Sequence, residues 1–201
     1  MKKHLHKKFN HAEDRKERNI YSLMEQLEVL PTLTELFKTA QSAKYVYKSY
    51  LPVYDEYFLP LKDTATAVLE IGILDGVSLR VMRDYFTKAH IYGIEAIPHY
   101  IFQEERITTI HCSTMERDRF ISLELPPFDI IIDDASHVIT EQLFAVCGLW
   151  KYLKTGGLFI VEDIQRVEYL ECFKVFNADI FDYSHLGKSA DDRFVIIKKL
   201  C

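Results

Sequence analysis

Glycine is absent from residues 1–60, and that stretch reads as helical throughout. Also lacking is any apolar run of transmembrane length, and the polar N-terminus has no signal-peptide core. There is no excess of positive charge: the net charge of −5 argues against a nucleic-acid binder whose affinity comes from a basic surface. A local basic cluster, Lys2, Lys3, Lys7 and Lys8 with His4 and His6, reads as a solvated end. The four cysteines, Cys112, Cys147, Cys172 and Cys201, show no paired spacing, so neither a zinc knuckle nor a disulfide framework is expected. Free thiols in a reducing cytoplasm are the expectation. No internal repeat or low-complexity tract occurs, and the three-glycine G-x-G-x-x-G turn of dinucleotide folds is missing.

What is present has the proportions of one globular domain with an appendage: 201 residues, 48% hydrophobic and 27% charged. Residues 1–61 are expected to form a helical cap. "IYSLMEQLEVL" (20–30) places Ile20, Leu23, Met24 and Leu27 at helical spacing, and Pro31-Thr32 restarts the chain into "TLTELFKTAQ". The tyrosine-rich "KYVYKSYLPVYDEYFLPL" (44–61) is broken at Pro52 and closed by Pro60. Residues 62–201 then alternate strands with helical segments. "TAVLEIG" (66–72), "HIYGIE" (90–95), "RITTIH" (106–111), "FDIIIDD" (128–134) and "GLFIVED" (157–163) read as buried strands, with helices over 76–86 and 138–153. This order implies an α/β sandwich around a mostly parallel, seven-stranded sheet of the Rossmann-like kind. Only a short polar link with Gly187 separates "FKVFNADIFDYS" (173–184) from "DRFVIIKK" (192–199), too short for a crossover helix, so the last strand should run antiparallel.

Two apolar strands end abruptly in acid: Asp133-Asp134 with His137 close behind, and Glu162-Asp163. Charge at the end of a buried strand is costly unless something uses it, and ligands bind at the carboxyl ends of parallel strands. Four carboxylates at two neighbouring strand ends could hold a divalent metal beside a histidine. The first strand leads into "LEIGILDGVS", where Gly72 would allow a tight turn close to a ligand and Gly76 would open a helix. Glu95 closes the second strand at the separation where such folds place a carboxylate on a ribose diol. Plainer readings remain open. The glycines could serve an ordinary turn, and Ser136 could cap the helix near Val138 with His137 in its first turn. The tyrosines 45, 47, 50, 54 and 57 could line an acceptor pocket or simply pack the cap onto the sheet. Asp191-Asp192 reads as turn chemistry, with Asp192 able to pin that loop over the site. His90, His99, His111 and His185 read as surface or strand-end residues, and Trp150 as core.

The pattern of an acid, Glu70, two before Gly72, with Gly76 four further on, Glu95 after strand two and a final hairpin, resembles the class I S-adenosylmethionine-dependent methyltransferases. More narrowly, "KSYLPVYDEYF", "LEIGILDGVSL", "IYGIE", "FDIIIDDASH", "LKTGGLFIVEDI" and "DDRFVIIKK" are similar, in that order, to the macrocin and mycinamicin O-methyltransferase group. The resemblance spans roughly 42–199. It departs at Ala43, inside a usual "SDK" stretch; at Lys48, where a His usually precedes "SY"; at Val77, in place of a second glycine; and at Cys112-Ser113, where an Asp is frequent.

The resemblance implies an S-adenosylmethionine-binding site built from Glu70, Gly72, Gly76, Ser78, Glu95, Ser113 and Asp133, and a magnesium-assisted O-methyl transfer to a sugar or other small hydroxylated acceptor. Asp134 and Asp163 are the expected magnesium ligands, with Asp133 or Glu162 completing the set. Asp133 could instead face the methionine end of the cofactor. His137 and Asp134 carry the expected catalytic roles, His137 as general base. A small-molecule partner is expected, with no nucleic acid and no membrane, and the helical addition is a candidate surface for a homo-oligomer. The rival readings are a metal-independent methyltransferase, a non-catalytic binding protein on the same scaffold, and a nicotinamide-dependent oxidoreductase, disfavoured by the missing three-glycine turn.

Overall fold

The computed structural model describes residues 31–200. The basic N-terminal cluster, the helix expected over 20–30 and Cys201 lie outside the described residues.

Three short helices open the described chain. Helix α1 (Leu33–Thr39) starts on a capping box in which Thr32 and Glu35 satisfy each other's backbone amides. Helix α2 (Ala43–Tyr47) is capped by Ser42, whose hydroxyl accepts from Lys44 N at 3.3 Å. Helix α3 (Leu51–Phe58) carries Pro52 in its first turn. Pro52 therefore begins a helix rather than breaking one, because an amide there has no helical partner to lose. The break falls at Lys48–Tyr50, between α2 and α3.

The remaining elements are strands β1 (Ala67–Ile71), β2 (His90–Glu95), β3 (Gln103–Glu104), β4 (Ile107–His111), β5 (Phe128–Asp133), β6 (Leu153–Val161), β7 (Asp179–Asp182) and β8 (Arg193–Lys198), with helices α4 (Val77–Tyr85), α5 (Arg117–Ile121) and α6 (Ile139–Leu149). They form one sheet in the order β3-β4-β2-β1-β5-β6-β8-β7. The run β4-β2-β1-β5-β6 is parallel. Strand β8 runs antiparallel to both β6 and β7, as the short Gly187 link requires. The sheet exceeds the expected seven strands by β3, a two-residue edge strand folded back on β4. Two residues are too few to show a periodicity. The segment before β7 also differs from a simple extended run, since Val167–Phe176 forms 3-10 turns.

Strand order reverses at β1, which has β2 on one side and β5 on the other, so the carboxyl ends of β1 and β5 frame the crevice where such sheets take ligands. Side chains alternate across the sheet. Val68, Ile130, Ile132, Ile160 and Ile196 face one layer, which the cap completes with Leu33, Phe37, Tyr50, Leu51, Tyr54 and Phe58. Leu69, Ile71, Ile131, Phe159, Val161 and Val195 face the other, with Val146 and Leu149 of α6. Residues 31–61 therefore lie directly on the sheet, and fully burying each large side chain contributes roughly 1.5–3 kcal/mol. The aromatic part of this layer centres on Phe194, stacked on Phe181 at 4.6 Å and flanked by Tyr50 at 4.9 Å.

Candidate functional site

The loop from β1 into α4 is built around two left-handed glycines. Gly72 has φ +81°, and a Cβ there would lie 2.6 Å from Ala135 Cα and closer still to the Asp134 carbonyl. Only glycine lets this loop cross the end of β5. Gly76, at φ +74°, is the N-cap of α4, and a Cβ on it would collide with the Phe102 ring. Glu95, at the end of β2, fixes the loop: its Oε2 accepts from Ile73 N at 3.0 Å and Leu74 N at 3.1 Å, and its Oε1 from Ile97 N at 2.9 Å. A carboxylate has about four lone-pair sites, so one acceptor position stays free for a ligand.

The alternation of the sheet decides where the acids point. Glu70 shares a face with Val68, Asp134 continues the face of Ile130 and Ile132, and Glu162 continues that of Ile160. All three therefore turn toward the cap, and Lys44 of α2 meets them. Its Nζ lies 2.6 Å from Asp134 Oδ2, 2.5 Å from Glu162 Oε2 and 3.3 Å from Glu70 Oε1. Glu162 takes two further donors from α3 and its N-cap, the hydroxyls of Tyr50 and, at 2.5 Å on Oε1, Tyr54. Glu70 also accepts from Ser78. By alternation Asp163 belongs to the opposite face, but its left-handed backbone (φ 55°) breaks the pattern and Asp163 lines the cavity described below. Its Oδ1 lies 2.8 Å from Lys48 Nζ.

His137 sits between the two cavity-facing acids, with Nε2 3.1 Å from Asp134 Oδ1 and 3.7 Å from Asp163 Oδ2. It is not a first-turn helical residue. Its φ is 58°, and α6 begins at Ile139 with Val138 as N-cap and no side-chain capping bond, so Ser136 is not the cap. Non-glycine residues with positive φ are uncommon and concentrate at functional sites. Four of the six among the described residues, Gln41, Leu74, His137 and Asp163, line one cavity.

That cavity has a volume of about 740 Å³ and runs from the glycine loop to the acid cluster. Gly72, Ser78, Glu95 and Ser113 line it toward the first end, and Asp134, His137 and Asp163 toward the second. Lys44, Lys48, Tyr47 and Tyr50 form part of the cap side. Glu70, Gly76, Asp133 and Glu162 are not on the wall. Glu70 and Glu162 are fully buried behind it, and Asp133 is buried with its Oδ1 accepting from Ala135 N at 3.3 Å. The tyrosines divide accordingly: Tyr47 and Tyr50 line the cavity, Tyr54 is buried on Glu162, and Tyr45 and Tyr57 pack against the core.

The site gathers more carboxyl groups than its lysines can pair one to one. Burial pushes Glu70 up to about 7, against the pull of Lys44. Burial likewise raises Asp133 to about 7, and Asp163 to about 7 with help from the Glu162 and Asp134 charges. For Asp134 burial acts upward too, but the Lys44 ammonium and bonds from His137 and Lys44 outweigh it and hold the carboxyl below its ordinary value. Burial alone would lower Lys44 and His137; the facing carboxylates overcome this and raise both. Four carboxyl groups, Glu70, Asp134, Glu162 and Asp163, thus face two ammoniums, Lys44 and Lys48. Ligand atoms of Asp134, His137 and Asp163 lie within 4.8 Å of one another. The hard carboxylate oxygens of Asp134 and Asp163 fit a divalent cation such as magnesium. The glycine cradle and the free acceptor site on Glu95 fit a nucleoside cofactor.

Lys44 and Lys48 are the site residues that motif reading passed over. Their signal was electrostatic: four acids ending two buried strands require compensating cations, and these lysines lie four apart in the segment that covers them.

Comparison with known proteins agrees with this geometry. No protein-family model matches the chain. In sequence it is 31% identical over 145 residues to an 8-demethyl-8-alpha-L-rhamnosyl tetracenomycin-C 2'-O-methyltransferase of Streptomyces olivaceus, an alignment covering 68% of this chain and 38% of that protein. It is 30% identical over 144 residues to the mycinamicin VI 2''-O-methyltransferase of Micromonospora griseorubida, covering 67% and 36%. The chain therefore spans little more than a third of the length of these relatives. Among solved structures, the MycE methyltransferase of the mycinamycin biosynthetic pathway, in complex with Mg, SAH and mycinamycin VI, superposes with a TM-score of 0.70 at 21% identity, over 96% of this chain and 63% of that one. The fold is that of a class I S-adenosylmethionine-dependent methyltransferase. In sequence the chain resembles the macrocin and mycinamicin sugar O-methyltransferases, including a demethylmacrocin O-methyltransferase of Streptomyces fradiae at 32% identity over 57% of this chain and 31% of that protein. Within that fold the β1–α4 glycine loop with Glu95 and the Asp134, His137 and Asp163 cluster lie on one cavity.

Proposed function

We propose that this chain is an S-adenosylmethionine-dependent, magnesium-assisted O-methyltransferase acting on a hydroxyl of a sugar or another small hydroxylated acceptor. The observation that carries the reading is the continuity of one cavity between the glycine loop and the Asp134–His137–Asp163 cluster. S-adenosylmethionine supplies a methyl group on a sulfonium, and a magnesium ion held by Asp134 and Asp163 supplies a Lewis acid for the acceptor oxygen. The protein's own part is alignment and proton management. The cavity walls would hold the acceptor in line with the methyl group, and such alignment can supply about 7–11 kcal/mol of the barrier. His137 donates Nε2–H to Asp134 Oδ1 at 3.1 Å, which leaves Nδ1 to accept the hydroxyl proton. Lys44 fixes Asp134 through its other oxygen.

Magnesium ligation falls to Asp134 and Asp163 in this reading. Glu162 anchors the cap instead, because Lys44, Tyr50 and Tyr54 already occupy it. Asp133 supports the turn at Ala135. The acceptor class follows the names of the similar enzymes, which methylate sugar positions of glycosylated natural products. Free thiols at Cys112, Cys147 and Cys172 suit a reducing cytoplasm, and among the described residues no helix is long and apolar enough to cross a membrane.

The lysines on Asp134 and Asp163 favour one alternative, a methyltransferase that works without metal. Calorimetry with S-adenosylhomocysteine, followed by turnover of a panel of glycosides with and without chelator, separates the readings. Absence of cofactor binding overturns both, and full activity in chelator overturns the magnesium assignment.

A further inference from the structure

Lys44 and Lys48 each hold one carboxylate of the cation site, but their surroundings differ. Lys44 is buried among three acids. Lys48 has two anions within reach: Asp163 Oδ1 at 2.8 Å and Asp191 Oδ1 at 3.0 Å. Asp191 belongs to the loop between β7 and β8 and is itself 30% exposed. The backbone at Lys48 is pinned to the same loop. Ser49 N donates to Asp192 Oδ1 at 3.2 Å and Oδ2 at 3.1 Å, and Lys188 Nζ donates to Lys48 O at 3.1 Å. The Lys48 ammonium thus lies between an acid of the cation site and an acid outside it, on a backbone fixed to the β7–β8 loop.

An ammonium and a divalent ion on one carboxylate repel each other, and at a few ångströms the repulsion is strong in a partly buried site. We propose that Lys48 is the resident counter-cation of this site: it neutralises Asp163 while no divalent ion is bound, shifts to Asp191 when one binds, and so sets how tightly the ion is held. The proposal rests on the divalent-ion reading of Asp134 and Asp163. It explains how Asp163 is tolerated in the ion-free protein, and why the displaced lysine does not become a buried unpaired charge: Asp191 keeps it paired.

The test is calorimetric titration of MgCl₂ and MnCl₂ into the full chain with S-adenosylhomocysteine bound and no acceptor, which reads ion binding without turnover. Lys48→Met and Lys48→Gln should each bind both ions at least tenfold more tightly than the unmodified protein, and Lys48→Arg should stay within threefold of it. Asp191→Asn, which removes the second partner and leaves Lys48 on Asp163, should loosen the ions severalfold, and this variant keeps the proposal testable if the Lys48 variants do not fold. Unchanged or weaker binding by folded Lys48→Met and Lys48→Gln, or unchanged binding by Asp191→Asn, overturns the counter-cation role and leaves the ion site standing. Loss of all ion binding in every protein, with S-adenosylhomocysteine still bound, overturns the ion site and the counter-cation role together.

Discussion

Tyr54→Phe separates the two roles open to Glu162, anchor of the cap or ligand of a metal. The substitution removes one hydroxyl, which donates to Glu162 Oε1 at 2.5 Å. Among the described residues no other donor reaches that oxygen, since Lys44 and Tyr50 both bond Oε2. Both partners are buried. The ring itself keeps its contacts with Phe58 at 4.8 Å and Tyr50 at 5.4 Å, so packing is conserved. What is lost is one hydrogen bond to a charged group, leaving a buried acceptor unsatisfied, which costs about 1.5–3 kcal/mol. For a chain of this size that corresponds to a fall in Tm of roughly 3–12 °C. Burial and the Glu162 charge hold the Tyr54 phenol well above its ordinary pKa, so it stays a donor between pH 6 and 9. Urea unfolding gives the free energy, and a double-mutant cycle with Glu162→Gln should return a coupling of about 1–2 kcal/mol. Ion binding by Tyr54→Phe should stay within threefold of the unmodified protein. A loss below about 0.5 kcal/mol together with a tenfold fall in ion affinity would refute the anchoring role and make Glu162 a ligand.

Three further outcomes follow from the geometry. His137→Gln should lower kcat by about 10²–10⁴ while S-adenosylhomocysteine affinity stays within threefold, as single-turnover rates and calorimetry will read; an unaltered kcat removes His137 as the base. Gly72→Ala places a side chain at φ +81° against the backbone of Asp134 and Ala135, adding roughly 1–3 kcal/mol of backbone strain before any clash, and should abolish cofactor binding in the same calorimetric assay. Asp129→Asn tests a structural carboxylate remote from the cavity. Asp129 Oδ2 accepts from Thr66 N at 2.7 Å, Ala67 N at 3.0 Å and Lys154 Nζ at 2.8 Å. Burial acts to raise its pKa, but Lys154 and the two amides outweigh it and hold it below the ordinary value. Its stabilisation is therefore present above the unfolded pKa of about 3.9 and lost as pH falls through the lower folded value. The stability gap to Asp129→Asn should be about 1–2 kcal/mol at pH 7 and close below about pH 4 in urea titrations; a gap independent of pH contradicts the assignment.

Much of the architecture was legible because it rests on short-range signals. The runs at 66–72, 90–95, 106–111 and 128–134 became strands β1, β2, β4 and β5, since short stretches rich in β-branched residues and separated by helical segments pack as strands of a parallel sheet. The antiparallel β8 followed from a connection too short to cross over. Gly72 and Gly76 could be read because each is needed for a backbone conformation or close approach that a side chain forbids. The strand β3, the 3-10 turns over Val167–Phe176 and the start of β6 at Leu153 could not, because each is set by contacts across the fold and leaves no local period.

The division of labour among the acids shows the same limit in chemical terms. A motif such as "IIDDASH" or "FIVEDI" marks carboxylates as unusual but does not show which of them the fold already pairs. The sheet shows it: two-residue alternation carries Glu70, Asp134 and Glu162 to the cap face, where Lys44, Tyr50 and Tyr54 reach Glu162 while Asp134 meets Lys44 through one oxygen and His137 through the other. Of the four acids, Asp134 and Asp163, the expected ligands, line the cavity wall, while Glu162 is bonded by the cap and Asp133 by its own turn. Buried charge must be matched, so the same cations that make this cluster foldable also set what charge it can accept. The lysines of the cap are therefore part of the chemistry of the strand ends, and a change at Lys44 or Lys48 should be felt at Asp134 or Asp163 before it is felt in the fold.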